Sequence, residues 1–290
     1  MYKQIATNKR NTVLLILGFV LFVGAIGALF AYYYQDWTIS ISTIAIAAIY
    51  AIIQYFAASK IAVMSTGAQK ITKKDNPRLY NIVENLSITA GLPMPEVCII
   101  NDPAPNAFAT GRDPEHAVVA ATTGLLGLMN DTELKSVMAH EMSHVKNYDI
   151  RVSMITFGLT CVISFLADAG IRMLYFGGDD RDREGSGLFG LIAILVVSIV
   201  APLVSSITQM AVSRQREFLA DAGSVQLTRY PAGMISALQK LDKNTRPMQR
   251  QSASTESMYI TNPLSKGFLT NLLSTHPPIE KRIERLKNAF

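Results

Sequence analysis

The chain has 290 residues, 49% of them hydrophobic and 17% charged, whereas an ordinary soluble domain is about 25% charged. That composition excludes a disordered or fibrous protein, which needs low hydrophobicity or strict glycine periodicity. Two distant cysteines, Cys98 and Cys161, exclude a disulfide scaffold and a cysteine-based metal cluster, and read as free thiols in a reducing compartment. The net charge of +5, from 27 Lys and Arg against 22 Asp and Glu, is spread over several segments without a basic, aromatic-studded stripe, so no nucleic-acid partner is expected.

Thr12 to Ala31 and Ile39 to Ala58 are each 20 residues without a charge, enough to cross a hydrocarbon core of roughly 30 Å at about 1.5 Å per residue. Lys3, Lys9 and Arg10 before the first stretch would suit a signal peptide, but the stretch exceeds a usual signal core and a second follows at once. A retained hairpin is expected over residues 1–60, with spans at about 12–31 and 39–58. Tyr32, Tyr33, Tyr34 and Trp37 cluster in its turn, where amphipathic rings favour the headgroup level.

Val152 to Ala167 is again apolar, the character resumes through Arg172 to Phe176, and Leu188 to Val212 follows with only Pro202 as a breaker. A second hairpin is expected over 152–212, with spans at about 152–176 and 188–212; two apolar helices packed inside a soluble domain are the alternative. Lys and Arg favour cytoplasmic flanks. They precede the first span, follow the second (Lys60, Lys70, Lys73, Lys74, Arg78) and follow the fourth (Arg214, Arg216), while the first turn has none. Segments 61–151 and 213–290, with both termini, are therefore expected in the cytoplasm, folding together as one domain interrupted by a membrane hairpin. The polar run from Asn244 to Ser257 reads as a loop able to lie across a cleft.

Asn130 with Glu133 marks a helix start, and Leu134, Val137, Met138, Met142 and Val145 continue at helical spacing. On that helix lies His140-Glu141-Met142-Ser143-His144, which holds half of the four histidines. His140 and His144 are separated by roughly 40° around the axis and one turn along it, so two imidazoles can meet one Zn²⁺. Glu141 flanks the metal without having to ligate it, where a base would deprotonate an attacking water. Composition alone predicts such a pattern only about 0.002 times in a chain like this. A catalytic zinc needs a third protein ligand. After the fourth span, Glu217 and Asp221 share one helical face, so Glu217 can ligate while Asp221 orients a ligand histidine, with small Ala220 allowing the helices to approach. His276 is the rival ligand.

HEMSH, the REFLAD segment, Pro105-Asn106-Ala107-Phe108-Ala109 and Thr275-His276-Pro277-Pro278 together resemble the membrane zinc endopeptidases that include the prenyl-protein endopeptidases, and the two-hairpin layout resembles their HtpX branch. The resemblance covers essentially the whole chain. It implies a mainly helical α+β protein: four transmembrane helices in two hairpins and a gluzincin-like zinc-peptidase domain with a small β-sheet. One zinc per chain would be held by His140, His144 and Glu217, with Glu141 as general base. It implies that His276 faces the substrate and steadies the oxyanion, helped by Arg282. Asn106 to Ala109 resembles the edge strand that such peptidases lay beside an extended substrate, with Asn106 and Ala107 in contact with it. Strand addition binds any main chain with little sequence demand. Val97 to Ile100 and Ala117 to Ala121 would supply further strands, and His116 is read as a surface residue.

His144 lies eight residues before Val152 and Glu217 five after Val212. If both links are helical, the metal sits within roughly 8 to 12 Å of the bilayer boundary. The expected activity is cleavage of membrane or misfolded proteins at the cytoplasmic face of a bacterial inner membrane, in protein quality control under stress as the resemblance implies. A transporter would need polar groups along its spans, and beyond Asp168 and Arg172 these offer only scattered Ser, Thr and Gln. A non-catalytic scaffold would not need the full set of ligands and base. The prenyl-protein branch is built with more spans.

Overall fold

The structure, a computed structural model, describes residues 2–159, 214–250, 259–260 and 277–290. Helix α1 (Tyr2–Tyr34) and helix α2 (Thr38–Thr66) form the expected first hairpin. Its turn is made by Gln35 in the left-handed region (φ 55°) and by Asp36, which accepts the Thr38 amide at 2.9 Å. Both helices outrun the apolar stretches, carrying Lys3, Lys9 and Arg10 on α1 and Lys60 on α2 as helical residues. Within them, Ile5–Ala28 and Thr38–Thr66 are long and apolar enough to cross a membrane. Their outer faces bare large apolar side chains, Leu21 at 72% and Ile41 at 69% exposure, a surface that suits lipid and not water. The hairpin closes tightly at Gly27, where a Cβ would lie 2.7 Å from that of Thr43.

Beyond α2 the chain builds a four-stranded sheet of β1 (Gln69–Lys70), β2 (Glu96–Ile100), β3 (Ala107–Thr110) and β4 (Val118–Thr122), in the order β1-β2-β4-β3. β2 and β4 run parallel and both outer pairings are antiparallel, which leaves β3 at an edge. The apolar runs read from the sequence are β2 and β4 to within one residue. Helix α3 (Pro77–Ala90) begins where Asn76 accepts the Leu79 amide and ends on left-handed Gly91. Short α4 (Thr123–Leu128) leads to α5 (Asp131–Lys146). The start of α5 is the expected capping box: Asn130 accepts the Glu133 amide, and Glu133 reaches back to the Asn130 amide.

Eleven of the 16 residues of α5 are buried, so it is a central helix enclosed nearly all round. Leu134, Val137, Met138 and Met142 pack against Leu79, Val83 and Leu86 of α3, against the sheet, and against Met234, Ala237 and Leu238. Those last three belong to α8 (Pro231–Lys243), which follows α7 (Arg214–Thr228). The closing helix α9 (Ile279–Ala289) docks Leu286 into the same core.

The link from α5 to the third apolar stretch is not a continuous helix. Tyr148 adopts φ 61°, Asn147 and Tyr148 form a turn, and a new helix, α6, runs over 149–159. Val152, Ile155 and Leu159 of α6 pack on Leu15 and Phe19 of α1 and on Ala47 and Ala58 of α2. The Tyr50 hydroxyl donates to the Gly158 carbonyl at 3.1 Å. The rest of the second expected hairpin, with Asp168 and Arg172, lies outside the described residues.

Candidate metal centre

Two helices bring three side chains together beneath this junction. α5 presents His140 and His144 one turn apart, and α7, packed against it, presents Glu217. Their Nε2 atoms are 3.2 Å apart, His140 Nε2 is 3.6 Å from Glu217 Oε2, and His144 Nε2 is 3.5 Å from Glu217 Oε1. One ligand atom from each lies within 4.8 Å of the others, the arrangement of a group able to hold a metal ion. Tetrahedral zinc with bonds near 2.0–2.1 Å holds its ligands about 3.3 Å apart, so the observed spacings fit a dication with little movement. The helices come this close because Ala220 is fully buried between them and because a Cβ at Gly223 would meet Ser143 Oγ at 2.4 Å.

Each histidine is braced from behind. His140 Nδ1 is 3.0 Å from Asp221 Oδ1 and 3.4 Å from Arg282 Nη2; the carboxylate is the partner, because a guanidinium has no acceptor. Asp221 in turn accepts from Arg282 Nε at 2.9 Å and Nη2 at 2.7 Å. Burial holds the His140 pKa below the ordinary value, and Asp221 only partly offsets it, which leaves the ring neutral and able to donate a lone pair. Burial opposes charge on Asp221, yet Arg282 and His140 outweigh it and keep the carboxylate ionised.

His144 Nδ1 is 3.0 Å from Asp149 Oδ2. Burial works against a charge there, but Asp149 and Glu217 lift the His144 pKa to about 10, so with no cation in the gap the ring itself carries the positive charge between the two carboxylates, and a bound dication would take the place of its Nε2 proton. Spacing-based reading does not find Asp149, because it reaches His144 only through the turn at Asn147 and Tyr148. Its one signal in the sequence is a carboxylate standing just past the end of the ligand helix.

Glu141 is buried, and burial raises its pKa to about 7, with Glu217 adding to the rise and His144 and Arg282 opposing it. Its Oε1 has no hydrogen-bond partner among the described residues, while the backbone of Ala109 in β3 hydrogen-bonds its carboxyl group. A carboxylate with an open oxygen, poised near neutrality beside a metal-sized gap, has the properties of a proton acceptor.

Two expectations read differently in the structure. Arg282 is fully buried behind the ligands, with Nη1 3.5 Å from Glu217 Oε2, so its charge is committed to Asp221 and Glu217 and not presented to a cleft. Asn106 is also buried; its Oδ1 lies 3.1 Å from the Ala107 amide and its Nδ2 3.6 Å from Met248 Sδ, so residues beyond α8 cover it. His276 and Thr275 lie outside the described residues. His116 ends a 3-10 turn, exposed and paired with Asp113 at 2.5 Å.

The outer edge of β3, expected to receive an extended peptide, carries a piece of the chain itself. Ile260 donates its amide to the Ala107 carbonyl at 3.0 Å, and Phe108 and Tyr259 form an antiparallel bridge with their rings 5.3 Å apart, edge to face. The edge therefore accepts a strand in the antiparallel sense.

Residues 73–289 match the family described as Peptidase family M48. A "Protease HtpX homolog" of Tropheryma whipplei is 53% identical over 287 residues, 99% of this chain and 98% of its own. Another, of Ligilactobacillus salivarius, is 47% identical over 294 residues, 99% of each chain. The fold is similar to the crystal structure of S. mikatae Ste24p, with a TM-score of 0.52 at 17% identity, over 99% of this chain and 67% of that one. With a match across three quarters of its length and near full-length relatives at about half identity, the chain belongs to peptidase family M48 as a metalloprotease of the HtpX type.

Proposed function

We propose that the chain is a zinc endopeptidase of the membrane surface, with zinc held by His140 and His144 through Nε2 and by Glu217. The observation that carries this reading is the triangle of ligand atoms at 3.2, 3.5 and 3.6 Å. When bound, zinc supplies Lewis acidity, lowering the pKa of water at an open coordination position toward about 7 and polarising a carbonyl. The chain's own groups do the rest. Glu141 takes the proton of the attacking water on its open carboxylate oxygen and passes it to the leaving amine. Asp221 and Asp149 hold the two imidazoles in the tautomer that turns Nε2 to the metal. The β3 edge aligns the substrate main chain beside Glu141 in the place that Ile260 occupies in this structure, so a peptide would compete with that segment for the Ala107 carbonyl.

The site stands at the foot of the α1–α2 hairpin, and the basic residues flanking the hairpin support a cytoplasmic position for it. The substrates are then unstructured segments of membrane proteins where they emerge from lipid on that face, and removal of damaged or unassembled proteins under stress is the role that follows. The test uses the detergent-solubilised chain and a membrane protein with an unstructured cytoplasmic tail. Cleavage should require zinc, stop with a chelator, and fall roughly 10²–10⁴-fold in Glu141→Gln. Equally efficient cleavage of the same tail cut free from its span would contradict selection at the membrane, and full activity of Glu141→Gln would contradict the mechanism.

A further inference from the structure

Helix α1 is apolar along most of its length, yet it buries one amide completely. Asn8 is 2% exposed in a helix whose other faces are bare. Its Nδ2 donates to Asp149 Oδ1 at 2.7 Å and to the Asn147 carbonyl at 2.9 Å. The other oxygen of Asp149 is the one that meets His144 Nδ1, at 3.0 Å. An amide on the first membrane helix is thus one carboxylate away from a ligand imidazole.

We propose that Asn8 is a positioning residue for the metal ligand His144, acting through Asp149 and tying the seat of the first membrane helix to the metal site. The inference rests on the zinc-site reading above. The chemistry is specific to the groups present. A carboxylate at the start of α6 has several staggered rotamers open to it, and the one observed sets Oδ2 on His144 Nδ1. Asn8 removes that freedom by engaging the opposite oxygen while also capping the Asn147 carbonyl, so it fixes both the side chain and the turn that carries it. Arg216 Nη1, 3.9 Å from the same Asp149 oxygen, supplies charge but sits beyond hydrogen-bond reach of it. Lys9, next to Asn8, lies 4.8 Å from the ring centroid of Tyr148, the left-handed residue of that turn, so two adjacent residues of α1 hold one corner.

The test is a double-mutant cycle on the full-length chain in detergent, read as zinc affinity by competition with a chromophoric chelator and as the visible spectrum of the cobalt-loaded protein. Partners of metal-bound histidines typically alter affinity about 10–100-fold; Asp149→Ala should fall in that range. Asn8→Ala, one bond further out, should weaken zinc on the order of 3–10-fold and shift the cobalt band. Asn8→Asp, which sets a like charge against Asp149, should weaken it at least as much. The diagnostic result is that Asn8→Ala adds nothing once Asp149 is Ala, because the two act in series. Wild-type affinity and spectrum in a folded Asn8→Ala chain would overturn the proposal, as would effects that multiply in the double variant. Loss of the folded state in both Asn8 variants would also overturn it, leaving Asn8 as an anchor of α1 alone. Absence of zinc binding by the wild type would instead sink the metal site itself, which the same titration reads first.

Discussion

The two histidines of one helical turn are held by different parts of the molecule. His140 leans on Asp221 and Arg282, both from the helices that close the catalytic domain and both nearly without solvent contact. His144, whose side chain is 15% exposed, leans on Asp149, which starts α6 and accepts a hydrogen bond from Asn8 of the first hairpin. One side is braced by a buried ion pair that the domain supplies to itself. The other is braced by a carboxylate that is itself held from α1, through Asn8, and faced by Arg216 of α7. The difference teaches that two histidines of one helical turn can differ in their support, one partner lying wholly within the core and the other in contact with the first hairpin.

Arg282→Met breaks the comparison most severely. It strands Asp221 and Glu217 in a buried site without their cation, and removing one partner of a buried pair costs about 3–5 kcal/mol. Thermal unfolding in detergent should drop sharply, with metal affinity falling too.

Asp221→Asn and Asp149→Asn sharpen it. Each should weaken zinc about 10–100-fold, but Asp221→Asn removes the carboxylate that accepts two hydrogen bonds from buried Arg282, whereas Asp149 stands 3.9 Å from buried Arg216 without such a bond, so Asp221→Asn should lower the unfolding temperature more. Equal losses of stability in the two variants would erase the distinction between the two sides.

Gly223→Ala perturbs both sides at once through the spacing of α5 and α7. The new Cβ would lie 2.9 Å from Ser143 Cβ, and such overpacking costs about 1–3 kcal/mol. Stability should be recovered in part by Ser143→Gly, and a Gly223→Ala chain with wild-type stability would show that the helices have room to spare.

The smallest effect belongs to Ile260→Pro. Proline has no amide to offer the Ala107 carbonyl, and one such bond is worth about 0.5–1.5 kcal/mol. If the segment competes with substrate, kcat/KM for a short peptide should rise by roughly 2–10-fold; an unchanged value would mean that peptides bind elsewhere.

What the sequence disclosed follows from periodicity. The HEMSH turn, the Asn130–Glu133 cap and the Glu217–Asp221 pair are all written at helical spacing, and β2 and β4 are short apolar runs between polar ones. What it hid depends on where the chain breaks period. The left-handed Tyr148 interrupts what reads as a continuous run from α5 into the third apolar stretch, and that interruption is what brings Asp149 back to His144. The resemblance makes Arg282 a substrate contact because it stands six residues after His276, but its partner Asp221 lies 61 residues away, and the attraction of a buried carboxylate decides where it points. Asn8 is one of three amides near the start of α1, with Gln4 and Asn11, and nothing local distinguishes it from the other two.

The central claim is that two imidazoles and one distant carboxylate share a metal ion. The most direct measurement is zinc content with zinc-edge X-ray absorption of the purified chain, beside Glu217→Ala. The predicted result is one zinc per chain with two imidazole nitrogens and carboxylate oxygen in its first coordination sphere, and loss of the metal or of the oxygen scatterer on substitution. A chain that binds no zinc, or one whose metal environment is unchanged by Glu217→Ala, would contradict it.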